Sequence, residues 1–397
     1  MRIIIQDYAG HPFQVQLSRI LAKRGWEVLH LYNASDITPR GEMNKKPDDV
    51  SSFDIIGITI PGGFKKYSFI QRYKQEKYYG DQVIGQIKAF KPDCILNANT
   101  PLTAYQQIDN FVKNTDVRQF FWMQDFYSVA AIKILSKKIP LIGYFIGKYF
   151  EHIEKKILKN SDEIILITKD FMPILRQWGI DENVISVIPN WSPIENLPAR
   201  KKSVNNWALS SNYTETFNIF YTGTLAYKHN PDHLINISEA FSNFEDVKIV
   251  IFSEGKVVDE LKEQISLLEL TNIEILPFQP FEILSEVLSM ADILLALLED
   301  DAGMFSVPSK VLTYHCAQRP LLLIGPEDNL ASRIINKNDS GLAVNSSKVD
   351  QGIQFLKELY RNKNRRAELG NNARNYAESN FKIDDIADRF EIILQRL

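Results

Sequence analysis

From its first residues the chain alternates short apolar runs with amphipathic stretches, and that rhythm restricts its fold more than any other feature. Arg2 to Ile5 predicts a strand, Pro12 to Arg24 a helix closed by Gly25, and Glu27 to Tyr32, Ile55 to Ile60 and Asp93 to Asn97 further strands. Phe120 to Met123, Glu163 to Ile167 and Val184 to Ile188 continue the series. Strands separated by helices predict an α/β protein with a parallel, doubly wound sheet. The pattern then lapses between Trp191 and Thr216, where Ser-Pro, Leu-Pro-Ala-Arg-Lys-Lys and Ser-Ser-Asn replace periodic apolar positions and predict a linker. A second series follows, with strands expected at Ile219 to Tyr221, Lys248 to Phe252, Ile273 to Leu276, Ile293 to Leu297 and Leu321 to Ile324. A length of 397 residues also exceeds what one hydrophobic core usually covers. The expectation is two Rossmann-like domains, residues 1–192 and 217–378, joined by a linker at 193–216. A last helix from Ile383 carries apolar residues at Ile383, Ile386, Phe390, Ile393 and Leu394, a narrow stripe that needs a surface to pack on.

Composition narrows the function. A formal charge of −3 argues against nucleic acid as the main partner. The two cysteines, Cys94 and Cys316, lie far apart and read as reduced, buried thiols in a cytoplasm-like compartment. The apolar run after Met1 is too short for a signal peptide, and no run approaches the roughly 20 apolar residues that span a bilayer. Between Ile132 and Ile157, apolar residues are interleaved with Lys133, Lys137, Lys138, Lys148, Lys155 and Lys156. This segment reads either as a membrane-surface element or as an amphipathic helix pair packed on a sheet with its lysines in water.

Open parallel sheets bind ligands at the carboxyl ends of their strands, so two such sheets should turn these loops toward a shared cleft. Asn218 to Pro231 is the loop with most chemistry: Gly223 lets backbone approach a ligand, Lys228 adds charge, and Asn230 can cap a helix beginning at Pro231 whose free N–H groups favour an anion. An ordinary turn with a solvated lysine is the plain alternative. Gly10 and Pro12 form a similar strand-to-helix turn, without the three glycines of a dinucleotide fingerprint, and Asn97 to Leu102 is another polar loop. The apolar strand Phe120 to Met123 ends in Gln124 and Asp125, an amide and a carboxylate able to hold a sugar hydroxyl or accept a proton; Asp125 could equally cap the next helix. Leu298 to His315 is an acidic loop with Gly303, followed by a helix expected near Pro308 that carries Ser309, Lys310 and Thr313. A lysine in a first helical turn opposes the helix dipole, which an anionic ligand would explain. Asp300 and Asp301 are adjacent and point apart, and the histidines at 11, 30, 152, 229, 233 and 315 show no metal spacing, so no metal is expected.

These separated segments together make the chain resemble the glycosyltransferases of family 4, retaining enzymes of the GT-B fold, and within them the bacterial polysaccharide branch that includes colanic-acid-type transferases. The resemblance rests on Gly10-His11-Pro12 with Leu17 to Val28, Gln124-Asp125, Ile188-Pro-Asn-Trp191, Tyr221-Thr-Gly-Thr-Leu with Lys228, and Val307-Pro-Ser-Lys310 ahead of Thr313-Tyr314. It implies two domains facing a cleft, with residues 379–397 crossing back onto the first. It also implies chemical roles for Asp125, Gln124 and Lys228, and donor contacts from Gly10, Gly223, Thr224, Lys228, Ser309, Lys310 and Thr313. Where the family commonly has an arginine this chain has Thr224, where it has two glutamates this chain has Phe305 and Thr313, and Gln124 replaces a histidine. The implied reaction moves a hexose-type unit from a UDP-sugar, such as UDP-glucose or a UDP-N-acetylhexosamine, to a saccharide or lipid-linked saccharide, without cofactor or metal. The location implied is cytoplasmic, peripheral on the inner face of the membrane. A sugar-nucleotide epimerase, a phosphorylase and a catalytically weakened nucleotide-sugar-binding subunit are the rivals.

Overall fold

Residues 3 to 5 are all isoleucine and all fully buried, as expected of a strand covered on both faces by helices. They belong to β1 (Arg2–Asp7), which in this computed structural model is followed by β2 (Glu27–Asn33), β3 (Phe53–Ile58), β4 (Cys94–Ala98), β5 (Arg118–Met123), β6 (Glu163–Leu166) and β7 (Ile185–Val187). The structure describes residues 1–35, 40–63, 69–98, 100–203, 205, 207, 213–303 and 306–396. The first seven strands form one parallel sheet in the order β3-β2-β1-β4-β5-β6-β7. The second sheet comprises β8 (Phe217–Thr222), β9 (Val247–Phe252), β10 (Ile273–Leu276), β11 (Ile293–Leu297), β12 (Leu321–Ile324) and β13 (Gly341–Val344), ordered β10-β9-β8-β11-β12-β13. Both sheets reverse direction beside their first strand, at β1/β4 and at β8/β11, and the crevice at such a switch point is where doubly wound sheets take ligands.

The chain divides into two compact units, Met1–Pro189 with Ile383–Leu397, and Asn190–Lys382. Strand β3 begins at Phe53, two residues before the expected start, and two larger differences from the sequence reading stand beside it. Strand β13 was not anticipated, because four small or aliphatic residues give no period to recognise. Described residues of the stretch expected to be a linker are also built into the second unit: Leu197, Asn205 and Tyr213 are buried. Polar ties explain this, since the Asn205 amide donates to Glu286 O and Ser289 Oγ, both at 2.7 Å, and the Asn218 amide donates to Tyr213 O at 2.7 Å.

The last helix, α14 (Ile383–Leu394), packs on the first unit, burying Ile386, Phe390, Ile393 and Leu394. Phe390 meets Trp122 of β5 edge-on at 4.8 Å, and the Trp26 indole donates to Glu391 at 2.8 Å. Arg24 bonds Asp384, Asp388 and Glu391, which together raise its pKa further above its ordinary value.

The lysine-rich segment forms two helices, α4 (Tyr127–Lys138) and α5 (Pro140–Asn160). Gly143 and Gly147, one turn apart, let them touch: a Cβ at Gly143 would fall 2.1 Å from Leu135 O, and one at Gly147 would fall 2.6 Å from Ile132 Cα. The pair does not present lysines alone to solvent. Leu141 is 77% exposed, Phe145 69% and Ile134 55%, with Ile139, Ile142 and Tyr149 also exposed. Hydrophobic side chains therefore share the outer face with the lysines. Among the described residues no helix is long and apolar enough to cross a membrane.

Candidate functional site

In the second unit β8 ends at Thr222, whose N–H donates to the Tyr314 hydroxyl at 2.9 Å. Gly223 follows with φ of 99°, a left-handed conformation that favours glycine. The chain then forms a 3₁₀ turn, Tyr227–His229, and Asn230 closes it at φ of 44°. Asn230 therefore ends this turn instead of capping the helix; α7 (Asp232–Ala240) has Pro231 at its N-cap and no side-chain cap. Two of its first three amides are also occupied, His233 N–H by Asn230 O at 3.3 Å and Leu234 N–H by Pro231 O at 2.9 Å. The expectation that this helix start offers free donors to an anion is thus corrected: the positive character here comes from side chains.

Those side chains are drawn together by the loop after β11. Glu299 N–H donates to Lys228 O at 2.7 Å, and Lys228 Nζ donates to Ser306 Oγ at 3.3 Å. The Asn329 amide fixes the same loop through Ser306 O at 2.9 Å. Lys310 opens α10 (Lys310–Cys316), with Ser309 as an exposed N-cap that makes no side-chain cap bond. The helix begins later than Pro308, and its early amides are partly used: Val311 N–H reaches Pro308 O at 3.1 Å and Leu312 N–H reaches Ser309 O at 3.0 Å. Lys310 is partly buried, and its Nζ is fully buried without a hydrogen-bond partner. It lies 3.5 Å from the centroid of the Tyr221 ring, while Tyr221 donates its hydroxyl to Thr224 O at 2.9 Å. Burial, reinforced by the charge of Lys228, pushes the Lys310 pKa well below its ordinary value. The aromatic face offsets part of that cost. A buried ammonium without an anion is expensive, so the cradle formed by Gly223, Lys228 and Lys310 is complementary to a dianionic group.

His229 is a residue of this loop that the sequence did not single out, the histidines having been considered there only for metal spacing. Its Nδ1 accepts from Ala226 N–H at 2.9 Å, which fixes the tautomer, and burial together with Lys310 and Lys228 lowers its pKa to about 2. It is a neutral brace for the turn that carries Lys228. Thr313 lies one helical turn beyond Ser309, its hydroxyl 3.2 Å from Ser192 Oγ. Phe305 lies outside the described residues. Among the described residues no group of three His, Cys, Asp or Glu side chains could hold a metal ion. Cys94 and Cys316 are free, and burial raises both thiols to about 12.

The corresponding turn of the first unit has the opposite electrostatics. Gly10, at φ of 76°, leads into α1 (Pro12–Lys23), but fully buried Asp7 fills the helix start, accepting from Ala9 N–H at 3.2 Å and from His11 N–H. A diphosphate at this turn would meet a carboxylate, whereas the turn of the second unit presents lysines. Gln124 is buried at the end of β5 and Asp125 is partly buried beside it. The N-cap position of α4 is Phe126 and not Asp125, and Glu154 of α5 serves the first amides, accepting from Tyr127 and Ser128 N–H, each at 3.0 Å, and from the Ser128 hydroxyl. Burial raises the Glu154 pKa to about 7; the bonds from Ser128 and Tyr127 oppose the shift and the charge of Asp125 adds to it. No local signal could have revealed this cap, because Glu154 is 26 residues from Ser128.

Two doubly wound parallel-sheet units of this kind make up a GT-B fold. Residues 208–376 match the family model of glycosyl transferases group 1. No curated protein matches the chain. Among solved structures, sucrose-phosphate synthase from Thermosynechococcus elongatus is 12% identical, with 100% of this chain and 98% of that chain covered and a TM-score of 0.76. Anabaena Alr3699/HepE, solved with UDP and glucose, is 13% identical with both chains fully covered and a TM-score of 0.74. WaaG, a glycosyltransferase involved in lipopolysaccharide biosynthesis, is 14% identical over 99% of this chain and 100% of that chain, with a TM-score of 0.66.

Proposed function

We propose that the chain is a retaining hexosyltransferase that transfers a hexose-type unit from a UDP-sugar, UDP-glucose or a UDP-N-acetylhexosamine, to a saccharide or lipid-linked saccharide acceptor in polysaccharide biosynthesis. The observation that carries this reading is Lys310: a buried ammonium on the Tyr221 ring, without a hydrogen-bond partner, beside Gly223 and Lys228. The fold, the family match of the second unit and the UDP-glucose complex of HepE support the donor class.

In the proposed reaction the bond between the anomeric carbon and the β-phosphate oxygen breaks, and the pair of electrons leaves with the diphosphate. Lys228 and Lys310 take up the charge that develops there. Preorganised donors of this kind contribute roughly 3 kcal/mol each in a water-poor site. The acceptor hydroxyl attacks on the face the diphosphate vacates, and its proton passes to a phosphate oxygen. Gln124 and Asp125 orient hydroxyls of the sugar or of the acceptor, and Thr224, Ser309 and Thr313 contribute to the donor pocket. The transferred group needs no metal in this scheme, since the leaving charge is met by two lysines.

Incubation with UDP-glucose and with UDP-N-acetylglucosamine tests the reading: slow release of free sugar with retained configuration, undiminished in excess EDTA, is the expected result. An epimerised sugar nucleotide would make the chain an epimerase, absence of turnover with intact UDP binding would make it a binding subunit, and loss in EDTA restored by Mg²⁺ would overturn the metal-free scheme.

A location on the cytoplasmic face of a membrane is part of the same proposal, supported by the exposed Leu141, Ile142 and Phe145 among lysines on α4 and α5. Co-sedimentation with phosphatidylglycerol vesicles is expected at low salt, falling as salt rises, and is expected to weaken in Phe145→Glu. Equal partitioning of both forms would assign the face another role.

A further inference from the structure

The two sheets end in four edge strands, β3, β7, β10 and β13, and an open edge presents backbone N–H and C=O groups that can pair with another chain. Three of the four edges are blocked by the chain itself. On β3 the outward amides of Phe53 and Ile55 donate to Val50 O and Asp54 Oδ1, both at 3.0 Å. On β7 Val187 O accepts from Arg389 at 2.8 Å, and on β13 the Ala343 amide donates to Asn336 Oδ1 at 3.2 Å. The edge of β10 differs. Asn272 O accepts from Ile249 N–H at 2.8 Å and Leu276 O from Ser253 N–H at 3.0 Å, so by alternation Ile273 and Ile275 turn their backbone groups away from the sheet. Among the described residues nothing bonds to them there.

The surface beside this edge is apolar and carries charges of both signs. An open groove of about 470 Å³ follows β10, lined among others by Lys262, Ile265, Glu269, Leu270, Ile273 and Ile275. Next to it, Leu267 at the end of α8 (Lys256–Leu267) is 83% exposed and Leu268 is 47% exposed. Among the described residues neither Lys262 nor Glu269 has an ionic partner. A two-fold contact sets a patch against itself, so an unpaired lysine and an unpaired glutamate in one groove can each meet the opposite charge across the axis. Strand register points the same way. Pairing centred on Ile275 sets Glu274 opposite Leu276 of the other copy, which keeps the two Glu274 carboxylates from facing each other.

We propose that the chain forms a two-fold dimer through β10: the edge strands of two copies pair antiparallel and continue the sheet of the second unit. Leu267 and Leu268 become covered beside them, and Lys262 faces Glu269 of the other copy. Pro277, directly after β10, has no N–H and ends the ladder, so the pairing is short and the dimer dissociates on dilution. The proposal commits to a second copy of this chain; an extended segment of a different protein is an outcome of the test.

Sedimentation velocity of the full chain over a wide range of concentration is expected to show a monomer that passes into a dimer as concentration rises. Leu267→Glu places a charge at an exposed site outside the core, and Ile275→Pro removes an outward N–H that the single chain does not use, a change edge strands tolerate. Each is expected to raise the dissociation constant at least about tenfold, the scale of one or two net hydrogen bonds. Lys262→Glu and Glu269→Lys are each expected to weaken the dimer, and the two together to restore it. Melting temperatures report folding; should Ile275→Pro unfold, Leu267→Glu and the charge reversals decide. A parent chain that stays monomeric at every concentration overturns the proposal and leaves this edge to an extended segment of another protein. A dimer that Leu267→Glu and the single reversals leave unchanged also overturns it, as does a double reversal that fails to restore association.

Discussion

Asp125→Asn is expected to lower turnover by about 10- to 10,000-fold, the range for losing one positioning or proton-handling group, while UDP affinity stays unchanged. The substitution keeps size and hydrogen-bonding capacity and removes only the charge. Capping is not the competing explanation it was in the sequence, because the first amides of α4 are held by Glu154. The charge does have a second effect within the fold, since Asp125 helps to raise Glu154. Its removal should let the Glu154 pKa fall. The sign follows from linkage: the folded Glu154 pKa of about 7 lies above its ordinary 4.5, so its contribution to stability is complete below about pH 4.5 and is lost as pH rises through 7. In Asp125→Asn that loss should shrink, giving a small rise in melting temperature at neutral pH. Turnover near the parent value with that same shift in melting temperature would make Asp125 a structural charge alone.

Lys310→Met is expected to weaken UDP binding by about 10- to 150-fold, corresponding to the roughly 1.5 to 3 kcal/mol of a charge-assisted hydrogen bond. Lys228→Ala should lose a similar amount. What distinguishes the two is the ligand-free protein. Lys310 holds a buried amine beside the charge of Lys228, so replacing it with an apolar chain of similar length should leave the melting temperature equal or higher. Lys228 is exposed, and its removal should leave stability near the parent value. A further signature is specific to Lys310. Its pKa is depressed in the free protein, and a bound diphosphate should raise it, so UDP binding should take up protons and affinity should fall as pH rises between the two values. Calorimetry in buffers of different ionisation heat reads that uptake directly; its absence in the parent chain, or its persistence in Lys310→Met, would place the proton elsewhere.

Legibility in the sequence followed the range of the forces involved. The strands from β1 to β12 were readable because each is a short run rich in aliphatic or aromatic residues, buried in most of them, although β7 is only half-buried and β3 begins at Phe53 and not at Ile55. Gly223, Lys228 and Asp125 were readable as loop residues that follow such runs, and Lys310 as the opening of a helix. The stripe of α14 was readable too, since Ile386, Phe390 and Leu394 repeat at helical spacing and are buried. Local chemistry near Pro231 and Pro308 was misjudged, because the amides expected to greet an anion bond to neighbouring carbonyls.

What the sequence alone determined is the alternation of strand and helix, and hence two parallel sheets with their ligand loops at the carboxyl ends; periodicity and turn chemistry are local, and a chain carries them wherever it folds. The tertiary structure alone decided what each polar group meets. Glu154 caps a helix that begins 27 residues earlier, Tyr221 and Lys310 meet across 89 positions, and Asp7 makes one strand-to-helix turn acidic while two lysines make its counterpart basic. Charge acts through space and burial sets its strength, so these pairings exist only once distant segments are packed together.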